Sequence, residues 1–364
     1  MKILFIAPLS PPVTGQSIAC EALLEELRKR HAVEVVNFSK GNLRQGINSF
    51  ARIDEVLITL KEIRRKISDT DVIYLTLSAS IAGNLKDFFI YAICFKKLGN
   101  MVIHLHGGGI RKLIFDKFWV LYHINKFFLS RIGAAVVLSR SLVRIFDGMI
   151  PPERIYTVSN FAEDDMFLTV DDIRRKFANL SHLKILFLSN LIPGKGFEEL
   201  AEAYNLLDSS LQRKVQIDFA GDFESESQKR LFLNKVKKTP GLCYHGVVLG
   251  GEKKKLFAKA HIFCLPTYYY YEGQPISILE AYAAGCAVMT TDHGGIADIF
   301  EAGKTGFYVE KKSAKSIADT IGAILSSPEQ LEQIAVYNNT LARNLYTKSK
   351  HLSAMVGIIE EKIQ

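Results

Sequence analysis

The stretch from Thr267 to Val288 holds two glutamates, Glu272 and Glu280, eight positions apart, with Gly273, Gln274 and Pro275 between them. Pro275 fits a first helical position, because its missing N–H would have no partner inside a helix there, so a helix is expected to begin near residue 275. The first N–H groups of such a helix, at Ile276 and Ser277, point outward with the positive pole of the helix dipole behind them and make a seat for a phosphate. One carboxylate then stands on the loop ahead of the anion seat, and the other lies on the helix just past its first turn. A ligand with hydroxyls on both sides of a phosphate suits that spacing, and nucleotide sugars are such ligands. Two solvated carboxylates on an ordinary amphipathic helix would leave the same pattern.

Three further loops end apolar runs with residues that could serve the same ligand. Pro11 to Ser17 leads into a helix expected from Ile18, and Gly15 would let backbone approach a ligand at that helix start, as it would in an ordinary turn. The run His104-Leu105-His106-Gly107-Gly108-Gly109 sets a histidine at the carboxyl end of a strand, ahead of glycines that make room for something close to the backbone. His104 reads as a core or edge histidine, and a metal site lacks a third ligand at a suitable spacing. In Ser189-Asn190-Leu191-Ile192-Pro193-Gly194-Lys195-Gly196, Lys195 lies between two glycines, either facing a ligand or solvated on the surface. Asp69-Thr70-Asp71 has a spacing that can hold a divalent ion on a diphosphate. It directly precedes the run VIYLTL, though, and reads as a helix-to-strand turn at the wrong end of the strand.

These loops need a scaffold that brings strand ends together, and the chain supplies one twice. A length of 364 residues exceeds what one core usually serves. Near-continuous apolar runs (KILFIAP, VEVVNF, VIYLTL, MVIHLH, AAVVLS) alternate with longer amphipathic segments, the mark of a parallel sheet covered on both faces. A second series starts with LKILFLSN and continues through VQIDFAG, LCYHGVV, IFCLPT, AVMTTD and GFYVE. The expected class is α/β, with two doubly wound, Rossmann-like parallel-sheet domains. The 5 cysteines show no paired spacing and read as reduced, packed thiols of a cytosolic protein. The N-terminal run reads as a first strand in place of a signal peptide, and no apolar stretch reaches the roughly 18 residues of a spanning helix. A net charge of +8 favours acidic partners such as nucleic acid, anionic lipid or a phosphate-bearing substrate.

Taken together, Glu272 to Glu280 with Ala281, Ala284, Gly285 and Val288 resembles the donor-binding motif of the retaining glycosyltransferases of family four, which have the two-domain GT-B fold. Val158 to Asn160, Ala220-Gly221-Asp222, His245-Gly246 and His293-Gly294-Gly295 follow the same pattern, so the resemblance covers nearly the whole chain. It implies an acceptor-binding domain over residues 1–165, a nucleotide-sugar domain over 182–344, a central cleft between them, and a segment 345–364 that crosses back to the first. By resemblance Glu272 and His106 meet the donor sugar, Glu280 holds the ribose hydroxyls, and Lys195 holds the diphosphate. Asn190 stands where the family has an arginine, and Thr14 where it has the first of two glycines, so only Gly15 carries over. Gly273, Gln274, Pro275, Ile276 and Ser277 complete the donor set. The implied activity is transfer of a sugar, with retention and without metal or cofactor, from a nucleotide diphosphate, UDP foremost, to a glycan hydroxyl. A lipid-linked acceptor in bacterial surface-polysaccharide assembly is expected, and nucleic acid is not. A nucleotide-sugar epimerase would need acid and base residues that nothing here specifies. A basic binding module would leave the glutamate spacing unexplained.

The segment from Arg111 to Arg131, RKLIFDKFWVLYHINKFFLSR, would as one helix align Lys112, Asp116, Trp119, His123, Lys126 and Ser130 in a stripe. A tryptophan among basic residues suits a bilayer interface. Lys112, Trp119 and Lys126 are therefore expected on a membrane or acceptor face at the inner side of the cell membrane, flanked by Phe115, Phe118 and Tyr122, unless this is a plain surface helix.

Overall fold

The computed structural model describes residues 1–39, 49–178 and 180–362. The chain divides into two compact units, one of Met1–Asn160, Tyr271–Gln274 and Ser349–Gln364, the other of Phe161–Tyr270 and Pro275–Lys348. The division differs from the expected one in that the first unit takes up Tyr271–Gln274 from the middle of the second series. Ile363 and Gln364, the end of the segment expected to cross back, lie outside the described residues.

In the first unit β1 (Lys2–Ala7), α1 (Gly15–Arg28), β2 (Ala32–Asn37), α2 (Ser49–Lys66), β3 (Val72–Thr76), α3 (Ile81–Ile93), β4 (Met101–Leu105), α4 (Trp119–Leu129), β5 (Ala134–Val137) and β6 (Ile155–Thr157) alternate. The strands pair in parallel in the order β2-β1-β3-β4-β5-β6. β3, β4 and β5 are buried along their whole length, whereas the edge strand β2 is largely half-exposed. Apolar runs without polar alternation are what strands covered by helices on both faces require. Asp71 lies at the amino end of β3, where its carboxylate accepts from the Lys2 N–H at 2.8 Å and its own N–H donates to the Lys2 carbonyl. The aspartate pair is therefore a helix-to-strand turn.

The second unit runs through α5 (Val170–Phe177), β7 (Leu183–Leu188), α6 (Phe197–Leu206), α7 (Ser209–Gln212), β8 (Val215–Ala220), α8 (Glu226–Lys238), β9 (Leu242–Tyr244), α9 (Gly250–Lys259), β10 (Ile262–Leu265), α10 (Ile276–Ala283), β11 (Ala287–Thr290), β12 (Gly306–Tyr308), α11 (Ala314–Ser326) and α12 (Gln330–Leu345). Its parallel sheet has the order β12-β11-β10-β7-β8-β9. The order reverses between β7 and β10, which leaves the loops after those two strands side by side at the sheet's carboxyl edge, where open α/β sheets take ligands. Each unit has its own apolar core, and the largest buried rings of the second include Phe187, Phe197, Phe219, Phe257, Phe263 and Tyr282. The last helix, α13 (Lys348–Glu361), returns to the first unit: His31 pairs with Glu360 at 3.0 Å and His351 Nδ1 meets the Ser159 carbonyl at 2.8 Å.

Two expectations are corrected. The helix after β1 starts at Gly15 and not Ile18, because Thr14 caps it: its hydroxyl accepts from the Ser17 N–H at 3.0 Å while Ser17 Oγ accepts from the Thr14 N–H at 2.8 Å. The segment after Gly109 is two pieces, a π-helical turn over Arg111–Phe115 and then α4. Arg111 spends its guanidinium on the carbonyls of Arg144, Ile145 and Asp147, each at 3.1 Å, which holds the first piece to the loop after β5. α3 and α4 are tied by two fully buried amides, Asn84 and Asn125, each donating to the other's oxygen at 3.0 Å. Replacing Asn84 alone by leucine leaves the buried Asn125 Oδ1 without its donor, while Nδ2 keeps the Leu121 carbonyl, and should cost about 1–3 kcal/mol of stability in urea denaturation. The double change Asn84→Leu with Asn125→Leu should recover much of that loss. Equal destabilisation by the single and double variants would refute the pairing.

Candidate functional site

In the second unit the loop after β7 is shaped by two glycines with left-handed backbone, Gly194 at φ +92° and Gly196 at φ +86°. A Cβ on Gly196 would stand 2.4 Å from the Pro266 carbonyl oxygen, so only glycine lets this loop lie against the one after β10. The two are stitched by the Tyr268 N–H, which donates to the Gly194 carbonyl at 2.7 Å. Lys195, between the glycines, places its ammonium 5.0 Å above the Tyr269 ring. The tyrosine loop is held in turn by Tyr268, whose hydroxyl donates to Glu199 at 2.7 Å, and by His293 Nε2, which meets the Tyr269 carbonyl at 2.8 Å. Burial first, and Glu199 second, push the Tyr268 phenol up to about 12, so it stays a donor. Asn190 is half-buried at the start of the same loop, where its carbonyl accepts from the Ile192 N–H.

α10 starts at Ile276, and Pro275 is its cap where a first helical residue was expected. Every residue of α10 is buried except Ser277, which is half-exposed at the helix start. Glu280 is only 2% exposed. Its Oε1 accepts from Lys253 Nζ, on α9, at 2.6 Å. Burial pushes the Glu280 carboxyl up, Lys253 pulls it down, and Glu163 and Asp165 push it up again. Glu272 is 7% exposed, so neither glutamate of the motif is a solvated surface carboxylate.

Glu272 belongs to the first unit, together with Gly273 and Gln274. A Cβ on Gly273 would come within 2.0 Å of the His106 carbonyl oxygen, and one on Gly108 within 2.6 Å of the Glu272 carbonyl oxygen. The glycines after β4 therefore make room for the backbone of the glutamate loop. Gln274 fixes that loop: its Oε1 accepts from the Asn160 N–H at 2.6 Å, its Nε2 donates to the Leu138 carbonyl at 3.1 Å, and its own carbonyl accepts from Asn160 Nδ2 at 2.8 Å. Beside it lie three histidines. The rings of His104 and His106 are 3.9 Å apart, and His351 of α13 lies 6.5 Å from His104. His104 Nδ1 bonds the Tyr74 hydroxyl at 2.7 Å, which makes it the core histidine expected. Burial lowers the pKa of all three, His106 to about 3 and His351 to about 4. His106 Nε2 is buried with no hydrogen-bond partner among the described residues, and it can serve a ligand only as a neutral imidazole. Gly15 lies exposed at the start of α1.

On α4, Trp119 is 73% exposed with its ring edge to His123 and Lys126 is exposed, as is Lys112 in the turn before the helix. Phe115 is buried, so it cannot flank a contact there, whereas Phe118, Val120 and Phe127 are exposed. α3 adds Ile81, Leu85 and Phe89, exposed one helical turn apart. Sequence reasoning missed Lys253 and His351. Lys253 lies four positions before the buried Phe257, so the helical period placed a lysine on an inward face. For His351 no local signal exists, since only tertiary packing brings α13 to β4.

Residues 170–340 match the family model for glycosyl transferases group 1. WcaL of Salmonella typhimurium, named for colanic acid biosynthesis, is 38% identical over 173 residues, 46% of this chain and 41% of that one. The capsular polysaccharide biosynthesis glycosyltransferase CapM of Staphylococcus aureus is 25% identical over 231 residues, 60% of this chain and 59% of that one. The chain spans 36–41% of the length of three of the curated relatives it matches. The crystal structure of Anabaena HepE in complex with UDP and glucose superimposes with a TM-score of 0.73 at 15% identity, over 99% of this chain and 100% of that one. The fold is GT-B. Among the described residues no helix is long and apolar enough to cross a membrane.

The histidine row carries a pH dependence. A histidine whose pKa is lowered in the folded state contributes stability that is whole above its unfolded value near 6.5 and is lost as pH falls below it. Each of the three should cost about 1.4 kcal/mol of unfolding free energy per pH unit below that value. Urea denaturation from about pH 7.5 to 5 should therefore show a dependence that His351→Gln flattens by one share. An unchanged slope would mean that His351 titrates normally.

Proposed function

We propose, for a chain whose residues 170–340 belong to the glycosyl transferases group 1, that it is a retaining glycosyltransferase. It moves a sugar from a nucleotide diphosphate, UDP foremost, to a hydroxyl of a lipid-linked glycan in bacterial surface-polysaccharide assembly. The observation that carries this reading is that the second unit bears the buried Glu280 carboxylate on α10, after β10, and the glycine-flanked Lys195 in the loop after β7, the two strands between which the sheet order reverses. The UDP and glucose named in the HepE complex, and the polysaccharides named for WcaL and CapM, support the donor and the acceptor class.

In this reading Glu280 accepts from the ribose hydroxyls, and the amides of Ile276 and Ser277 with Lys195 and Asn190 take the diphosphate. The bond from the sugar's anomeric carbon to the phosphate oxygen breaks, and the acceptor oxygen bonds to that carbon on the same face. The acceptor's proton passes to the departing phosphate oxygen. Negative charge grows on the diphosphate as the bond breaks, so a fixed ammonium at Lys195 acts most in the transition state. Asn190 supplies a hydrogen bond without charge. Glu272 and the neutral His106 keep the sugar-orienting roles that the resemblance assigns, and no metal takes part. Trp119, Lys112 and Lys126 with the exposed apolar residues of α3 and α4 form a reversible contact with anionic lipid, each lysine contributing about 1 kcal/mol.

Incubation with a panel of labelled nucleotide sugars and lipid extracts tests the activity. Glu280→Ala should lose about 1.5–3 kcal/mol of nucleotide binding per hydrogen bond removed, and calorimetry showing unchanged affinity in the folded variant would sink the assignment. Lys195→Ala should lower turnover more than donor affinity. Loss of affinity at full turnover would leave it a positioning group only. Sedimentation with anionic liposomes should fall on changing Lys112, Trp119 and Lys126 together, and equal sedimentation of the wild type would remove the membrane face while leaving the activity untouched.

A further inference from the structure

We propose that Lys253 is a positioning residue of the nucleotide site: its ammonium grips one oxygen of Glu280 and holds the carboxylate ionised and oriented before a nucleotide arrives. The inference rests on the reading of Glu280 as the ribose ligand and deepens it.

Lys253 Nζ stands 2.6 Å from Glu280 Oε1, and the two side chains are only 12% and 3% exposed. Neither end is free to swing. α9 is anchored by the fully buried Phe257, one helical turn beyond Lys253, and α10 by Ile278, Leu279 and Tyr282, all fully buried. The other charges that act on Glu280 are the carboxylates of Glu163 and Asp165, in and just before a short turn over Asp164–Met166. Glu163 is itself paired with Lys348 at 3.1 Å. The surroundings of Glu280 thus push it towards the protonated acid, and Lys253 is the group that opposes them. A methionine would fill the same helical position without the desolvation of a charge, so packing alone does not ask for lysine here.

The chemistry of ribose recognition gives the lysine a purpose. A hydroxyl pair needs acceptors, and an ionised carboxylate offers about four lone-pair sites, of which Lys253 takes one. A protonated Glu280 would turn one oxygen into a donor and would have to release its proton when ribose binds. Binding would then weaken as pH falls. With Lys253 in place the carboxylate is already ionised, and affinity is independent of pH through the neutral range.

Calorimetric titration with UDP-glucose and with GDP-mannose, whose phosphates are all esterified and do not titrate over about pH 5.5 to 8.5, tests this on the full chain. The wild type should bind the preferred nucleotide with a flat pH profile and no net proton exchange. Lys253→Met should bind about tenfold more weakly near pH 6, regain affinity as pH rises, and release a proton on binding, seen by repeating the titration in buffers of different ionisation enthalpy. Lys253→Arg should restore the flat profile. Should Lys253→Met fail to fold, Lys253→Gln, which keeps a hydrogen bond but not the charge, should show the same acid-side loss. Wild-type affinity and a flat profile in both neutral variants, with Glu280→Ala still losing binding, would overturn the role of Lys253 and leave the nucleotide reading intact. So would a uniform weakening at every pH that arginine does not relieve, since that marks a packing role only. A wild type that binds neither nucleotide would overturn the nucleotide reading itself, and the proposal with it.

Discussion

A carboxylate carried on a helix buried on nearly every side is the constraint on which the second unit depends. Removing such a charge from water costs several kcal/mol unless a partner meets it with good geometry. α10 lies over β10 and β11 with Ile278, Leu279, Ala281, Tyr282 and Ala283 fully buried, and Glu280 on it is only 2% exposed. Lys253 resolves the conflict from α9. The position of α9 is therefore tied to that of α10, although no residue of α9 belongs to the glutamate motif. Once α10 is fixed in this way, its first amides and Ser277 stand at the sheet's carboxyl edge, along with the loop that bears Lys195.

The first unit solves a different problem, close approach of backbone to backbone. The glycines after β4 and Gly273 bring two loops within a distance that no side chain would permit, and Gln274 then uses both ends of its amide to hold the register. Against that frame lie three histidines kept neutral by burial. Neutral rings are hydrogen-bonding groups of fixed direction, suited to orienting a polar ligand and unsuited to supplying positive charge at neutral pH. The second unit instead carries a lysine, Lys195, between two glycines. The separation follows from desolvation: the histidines sit where water is excluded, and Lys195 sits on a half-buried loop.

The sequence by itself determined the two parallel sheets, because strands covered on both faces must be apolar throughout and their runs are visible as such. It also marked positions that only glycine can fill. Gly194, Gly196 and Gly273 stand where backbone conformation or contact admits no side chain, and a residue with no substitute is legible locally. The Asp69 and Asp71 turn could be set aside because the start of a strand fixes which end of the sheet it lies on. Tertiary structure decided what depends on contacts distant along the chain. The ion pair of Lys253 with Glu280 spans two helices, His351 reaches β4 from the last helix, and Tyr271–Gln274 leave their sequence neighbours to fold with the first unit. Helix boundaries were decided there too. Thr14 and Ser17 cap each other and draw the start of α1 back to Gly15, and the expected long helix is two pieces, the first held to distant carbonyls by the Arg111 guanidinium. Periodicity reports which face of a segment is apolar. It carries no record of the partner that face will meet, and here those partners give Glu280 its ion pair and His106 its surroundings.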